Sequence, residues 1–383
     1  MTVANSSNDI IYADNAATTK LDDDALDLMF DLQKNSFANP SSAYSLSRPV
    51  KKFLQESREK IANCINAEPQ EIFFTSGGTE SDNWAIKSTV LAKIKVQPNI
   101  IISAVEHKAI LNSCAAMKNF GCSVTKLPVD KSGAVNPADL QEIILPQTKI
   151  ISVMLANNEV GTIQPVKALA DITHAAGKIF HTDAVQAVGH IPVDVKLLGV
   201  DMLSASAHKF NGPKGVGFLY VRGGCKLLPY IHGGDQEFSK RAGTENLPAI
   251  AAMAIALENN CREMESNAES LSDCAKTLLD CLRANNVDFI VNGGENRLPG
   301  HLSLSFKDCD GEAIMHRLDL KNIYVSTGAA CNSQQTKISH VLQAMNVPDD
   351  YIRGTIRITF GKENFIDDAT IIGKHLTEIV NGN

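Results

Sequence analysis

Long hydrophobic runs are missing from this sequence. The longest uninterrupted one, 249–257, falls far short of the ~20 residues that span a bilayer. The opening residues, MTVANSSNDI, carry neither a basic n-region nor an apolar h-region, so no secretory signal is expected. The sequon at Asn5 then has no use. A basic excess is also missing: the net charge is −7, which gives no electrostatic reason to bind nucleic acid or an anionic membrane. Nine cysteines include no Cys-x-x-Cys pair. The odd count argues against a disulfide framework, and the spacing against a zinc ribbon or other metal site. A reducing, cytoplasmic setting fits. What is present is ordinary for a soluble globular protein, with 44% hydrophobic and 21% charged residues in 383. That length suits two domains better than one.

Near the start, Ile11-Tyr12 reads as a short strand and Asp22 to Leu32 as a helix with acids in its first turn. Asn39-Pro40-Ser41-Ser42 is a loop, and Val50 to Ile65 keeps helical spacing. From residue 70 the pattern becomes strand, polar turn, helix, repeated. Apolar runs end in turn at Thr75-Ser76-Gly77-Gly78-Thr79, at Glu106-His107, at Asn157-Asn158-Glu159, at Asp183-Ala184-Val185-Gln186 and at His208-Lys209. Alternation of this kind predicts an α/β fold with a mostly parallel sheet and right-handed crossovers. Ligands of such sheets sit beyond the carboxyl ends of the strands.

Each strand ending suits a phosphorylated, charge-delocalising cofactor. Lys209 sits among small residues, SASAHKFNGPKG at 204–215. Partly desolvated, its amine becomes a nucleophile able to form a Schiff base; alone it also reads as a turn lysine beside a hairpin. Gly77-Gly78-Thr79 at a strand-to-helix turn offers N–H groups to a phosphate, or is simply a turn. Asp183 could hold a ring nitrogen protonated, or be a solvated loop acid. His107 could stack on a ring or relay protons, or be merely hydrogen-bonded in place. Gln186 and Asn158 are neutral hydrogen-bonders. Together they form the parts list of a pyridoxal-phosphate site.

The chain resembles a cysteine desulfurase of the NifS/IscS type, in the fold-type I pyridoxal-phosphate superfamily. The likeness rests on DNAATT at 14–19, NPSS at 39–42, TSGGTESDN at 75–83, EHKAI at 106–110, NNEVGTIQP at 157–165, HTDAVQAVGH at 181–190, SASAHKFNGPKGVGFLYV at 204–221, RAGTEN at 241–246, STGAAC at 326–331 and IRITFG at 356–361. The resemblance implies that Lys209 forms the Schiff base, His107 stacks on the ring, Asp183 pairs with the pyridinium and Gln186 bonds its hydroxyl. It implies that Gly78, Thr79, Ser206 and His208 hold the phosphate, joined by Thr244 from the other subunit of a homodimer. Asn158 and Arg357 would take the substrate carboxylate. Tyr44 and Ser47 depart from the family pattern, which commonly has histidine and glycine there.

Cys331 stands apart from the other cysteines, in a small, polar, glycine-containing stretch without apolar periodicity. A reactive thiol needs such exposure. Cys274 and Cys281 share an apolar helix face with Leu271 and Leu278 and read as core; the rest read as structural or incidental. After Val221 the pattern turns α+β, with helices expected over Leu247 to Glu265 and Ser270 to Arg283, and strands over His301 to Phe306 and Thr355 to Phe360. Residues 16–260 are expected to form a large cofactor-binding domain, and 1–15 with 261–383 a small domain carrying Cys331. The expected activity is removal of sulfur from L-cysteine, giving L-alanine and a Cys331 persulfide. Its sulfur would pass to an acceptor protein, such as an iron–sulfur scaffold, or to tRNA, DNA or cofactor thiolation. A selenocysteine lyase or aminotransferase of the same fold would share the lysine and the phosphate cup. A scaffold that had lost its chemistry would not be expected to keep all these residues together.

Overall fold

A computed structural model of the chain describes residues 10–92, 97–327 and 338–382. Seven strands form its main sheet, in the spatial order Ile72–Thr75, Gly217–Val221, Met202–Ser206, Ile179–Asp183, Thr148–Ser152, Asn99–Ser103 and Ser123–Leu127. All are mutually parallel except Gly217–Val221, which runs antiparallel to both neighbours. That strand returns from Met202–Ser206 through residues 207–216, too short a connection for a crossover. The edge strand Ser123–Leu127 was not anticipated, because Ser-Val-Thr-Lys-Leu is half exposed and has little apolar signal.

The central strands are apolar on both faces because helices cover both. Ile101 and Ile151 pack into one core with Ile61, Phe180 and Leu203. Their neighbours Ile100, Ile102 and Ile150 pack into another, with Ile86, Ile110 and Cys114. Side chains of a strand alternate in this way. The carboxyl ends of the parallel strands all point to one edge, and the polar endings named above therefore converge.

A second core belongs to a three-stranded antiparallel sheet, Thr355–Thr359, His301–Phe306 and Phe289–Asn292. Helices Met264–Ala284 and Ile366–Val380 cover it with Leu271, Cys274, Leu278, Ile372 and Leu376. Ile356 and Ile358 enter this core, which turns Arg357 to the opposite face. Ile11–Tyr12 pairs with Ile323–Tyr324, and Asp14 bridges to Thr359.

Helix boundaries shift where local signals were weak. The first helix runs Asp23–Asn35, capped by the Asp22 side chain on the Ala25 N–H, with Lys34 in its last turn. Leu247–Arg262 ends short of the expected Glu265. Met264–Ala284 begins well before its first buried residue, Leu271, where periodicity is silent. Among the described residues no helix is long and apolar enough to cross a membrane.

Candidate active site

The strand endings surround a cavity of about 360 Å³, lined among others by Gly78, Thr79, His107, Asn158, Asp183, Gln186, Ser206, His208, Lys209 and Arg357. Lys209 closes a single 3₁₀ turn, Ala207–Lys209, directly after strand Met202–Ser206. Its Nζ donates to the carbonyls of Ala16 and Ala17, both at 2.7 Å. The 14–22 loop is fastened over this turn: Thr19 N donates to His208 O, and Asn211 N to Thr19 Oγ1. Burial, then the nearby Arg357 guanidinium, bring the Lys209 ammonium down to about 8. The amine is thus a usable nucleophile near neutrality. His190, half-buried, hydrogen-bonds the Lys209 carbonyl at 2.7 Å.

One end of the cavity is an anion cradle. Gly77 has φ +144° and caps helix Gly78–Leu91 without any side-chain hydrogen bond. The helix N-terminus therefore offers N–H donors and its dipole to an anion. The turn passes so close over Gly217 that a Cβ there would lie 2.7 Å from Gly77 Cα, so glycine is required. Ser206 and His208 stand beside it. His208 shares a hydrogen bond with Thr18 Oγ1 at 3.2 Å; burial, Lys209 and Lys214 hold it down at about 4. It brings a neutral ring to the cradle.

His107 caps helix Lys108–Met117, its Nδ1 accepting the Ala109 N–H at 3.2 Å. With Nδ1 accepting, Nε2 is the nitrogen left to donate. Asp183 ends its strand with Oδ1 accepting the Val185 N–H at 2.9 Å. Burial raises Asp183, while His107 and Lys209 favour its anion. Gln186 Nε2 donates to Ala16 O at 2.9 Å, leaving Oε1 as its acceptor.

At the opposite end Arg357 Nη1 donates to Asn158 O at 2.8 Å and Nη2 to Asp14 Oδ1 at 2.6 Å, while its buried Nε has no partner. An unsatisfied buried guanidinium N–H is a ready place for a carboxylate. Glu159, raised to about 7 by burial, accepts from Ser339 Oγ. Ser326 is paired through its backbone with Arg357. Cys331 lies outside the described residues. Thr244 is exposed and does not line this cavity.

Motif reading had not singled out Asp14, Asp82 or Glu106 as site groups. Asp14 and Glu106 stand inside the quoted stretches DNAATT and EHKAI, and Asp82 inside TESDN, yet nothing local marks Asp82 and Glu106 as buried or Asp14 as the partner of Arg357. Glu106 is pushed up to about 8 by burial; its Oε1 accepts from Ser103 Oγ and Met154 N, and its Oε2 from nothing.

The aminotransferase class-V family matches residues 11–371 of this chain. Cysteine desulfurase IscS of Methanosarcina thermophila is 42% identical over 373 residues, covering 97% of this chain and 92% of that protein. Cysteine desulfurase IscS of Dictyoglomus turgidum is 47% identical over 352 residues, covering 92% and 89%. Among solved structures, a NifS-like protein superposes with a TM-score of 0.92 at 37% identity, covering 98% of this chain and all of that one (100%). SspA in complex with cysteine superposes with a TM-score of 0.81 at 34% identity, covering 91% and 98%.

Proposed function

The chain belongs to the aminotransferase class-V family, among its cysteine desulfurases, and from that premise we propose that it is a pyridoxal-phosphate-dependent enzyme that takes sulfur from L-cysteine. The overall change is L-cysteine plus the Cys331 thiol giving L-alanine plus a Cys331 persulfide. The observation that carries this reading is one cavity lined by a depressed-pKa lysine, a buried aspartate and an uncapped helix N-terminus.

Those residues fit pyridoxal 5'-phosphate. Bound there, it supplies an aldehyde for amines and a ring that withdraws electrons from the substrate's α-carbon. Lys209 would hold it covalently, and its freed Nζ would accept the substrate's α-proton. Asp183 would keep the ring nitrogen protonated, Gln186 would bond the ring hydroxyl and His107 would lie against the ring. The N–H groups of Gly78 and Thr79, with Ser206 and His208, hold the phosphate, and Thr244 completes that end from the second subunit of a homodimer. Asn158 and Arg357 orient the substrate carboxylate. The Cys331 thiolate attacks the substrate's sulfur, and its S–S bond forms as the Cβ–S bond breaks. Lys209 Nζ and His107 Nε2 return the protons that complete alanine.

Residues 16–260 form the cofactor-binding domain in this reading, with 1–15 and 261–383 as the small domain that brings Cys331. The working place is the cytoplasm, and the sulfur passes to an acceptor protein such as an iron–sulfur scaffold. The deciding experiment is a single turnover with L-cysteine in the absence of reductant, followed by mass spectrometry. The added sulfur is expected on the Cys331 peptide, with Cys331→Ala releasing neither alanine nor sulfide. Persulfide on another cysteine, or alanine formed at the wild-type rate by Cys331→Ala, overturns the assignment.

A further inference from the structure

Asp82 lies one turn into helix Gly78–Leu91, 1% exposed, on the wall of the same cavity. One carboxylate oxygen of Asp82, one of Asp183 and a ring nitrogen of His107 all lie within 4.8 Å of one another. Asp82 Oδ1 is buried and accepts no hydrogen bond. Within 4.0 Å, the one basic partner of Asp82 among the described residues is His181, whose Nε2 is 3.7 Å from Oδ1. That ring brings no charge. It is held between Ser152 Oγ, 2.8 Å from Nδ1, and Ser204 Oγ, 3.0 Å from Nε2, and burial depresses it to about 3.

Asp183 differs in the support its anion receives. Its Oδ1 takes the Val185 N–H, and the His107 and Lys209 side chains favour its negative charge. Two adjoining buried carboxyls cannot both ionise, so one keeps a proton. It stays with the group that has least support, which is Asp82. We propose that Asp82 is a neutral acid at working pH that donates its O–H to Asp183, a positioning residue that holds this carboxylate ready for the cofactor's ring nitrogen. Burial and the Asp183 charge raise Asp82 well above the ordinary carboxyl range; the Ser204 hydroxyl opposes them, and the buried Glu106 adds to them. The proposal deepens the reading of Asp183 as the ring's acidic partner and rests on it. The acid–carboxylate pair itself is a property of the chain without cofactor.

The test uses the full chain, purified with and without pyridoxal 5'-phosphate. In the cofactor-free protein at pH 7, the infrared difference between wild type and Asp82→Asn should show a protonated-carboxyl C=O band lost in the variant. Asp82→Asn, which keeps a neutral donor, should retain cofactor affinity within about threefold. Asp82→Leu, with no donor, should weaken it by about tenfold to a hundredfold, the range expected for a hydrogen bond to a charged group. The pH at which bound cofactor changes colour should move in Asp82→Leu and be restored in Asp82→Asn. An ionised-carboxylate band lost in the difference spectrum, or equal damage from Asn and Leu, overturns the proposal. If Asp82→Leu does not fold, the infrared comparison with Asp82→Asn decides alone. A wild type that shows the acid band but binds no cofactor would overturn the functional reading while leaving the pair standing.

Discussion

Two places in this molecule bury charge equally well and treat it in opposite ways. Arg58 and Glu237, 6% and 5% exposed, satisfy each other fully. Arg58 Nη1 and Nη2 donate to the two Glu237 oxygens at 2.9 and 2.7 Å, and Nη1 also reaches Ile72 O. Glu237 takes the Phe74 N–H at 2.9 Å, and the guanidinium lies 4.3 Å from the Phe74 ring centre and 5.3 Å from that of Phe238. This clamp holds Glu237, Phe238 and Ser239 at φ of 47°, 57° and 60°, left-handed values that non-glycine residues adopt only when surrounding contacts impose them. A few residues on, Arg241 pairs with Glu80 at the start of the cradle helix. The cavity at the strand ends does the reverse. Among the described residues Lys209 Nζ hydrogen-bonds backbone carbonyls alone, while Asp82 Oδ1 and Arg357 Nε have no hydrogen-bond partner. A completed buried pair shapes a loop; a guanidinium left incomplete keeps a donor open to a ligand.

The sharpest way to break this contrast is to delete one group from each place. Lys209→Ala should lower sulfide and alanine release by about 10³-fold or more, as loss of a nucleophile or base does elsewhere. Borohydride should then fix no cofactor to the protein, and the folded state should be undiminished in urea melts. Arg58→Met should do the opposite. Leaving Glu237 buried without its partner should cost about 3–5 kcal/mol in the same melts. A double Arg58→Met, Glu237→Leu variant should lose less than the sum of the two single changes. A Lys209→Ala protein that melts early, or an Arg58→Met protein of unchanged stability, would erase the distinction.

A smaller effect sharpens the comparison through pH. In cofactor-free protein the rate of Lys209 acylation, followed by peptide mapping, should rise through about pH 8, well below the ordinary lysine value of about 10.4. The sign for stability follows from linkage. With the folded pKa depressed, the unfolded chain holds the extra proton between these two values, so this group's contribution is present above the unfolded pKa and lost as pH falls through 8. Glu106 has the opposite sign. Burial raises it to about 8, so its contribution is complete below its unfolded pKa and lost as pH rises through 8. Glu106→Gln should therefore gain on wild type by at least about 1 kcal/mol between pH 6 and pH 9. A parallel pH dependence in the two proteins would show that Glu106 is ionised throughout.

Much of the site was legible because its signals are local. A strand that ends in a polar turn is written within a few residues, and parallel strands deliver all such turns to one edge; Lys209, Asp183, Gln186, His107 and Gly78, read that way as candidates, line one cavity. Alternation along Thr355–Thr359 likewise separates Arg357 from Ile356 and Ile358. The edge strand Ser123–Leu127 and the start of helix Met264–Ala284 escaped because half-exposed or polar residues leave no periodic mark.

What the sequence determined by itself is the α/β alternation, the turn chemistry at each strand end and the thiol that stands outside any apolar pattern. Only the tertiary structure decided which of these groups stay ionised and which meet. Asp14 reaches Arg357 across 343 residues of chain, and Glu237 reaches Arg58 across 179. Asp82 reads along the chain as one more polar helix residue, and becomes an acid only where helix and sheet together exclude water from it. The physical reason is range. Backbone preference and side-chain period act within a few residues, whereas desolvation and charge pairing depend on whatever distant segments the fold brings to within a few ångströms.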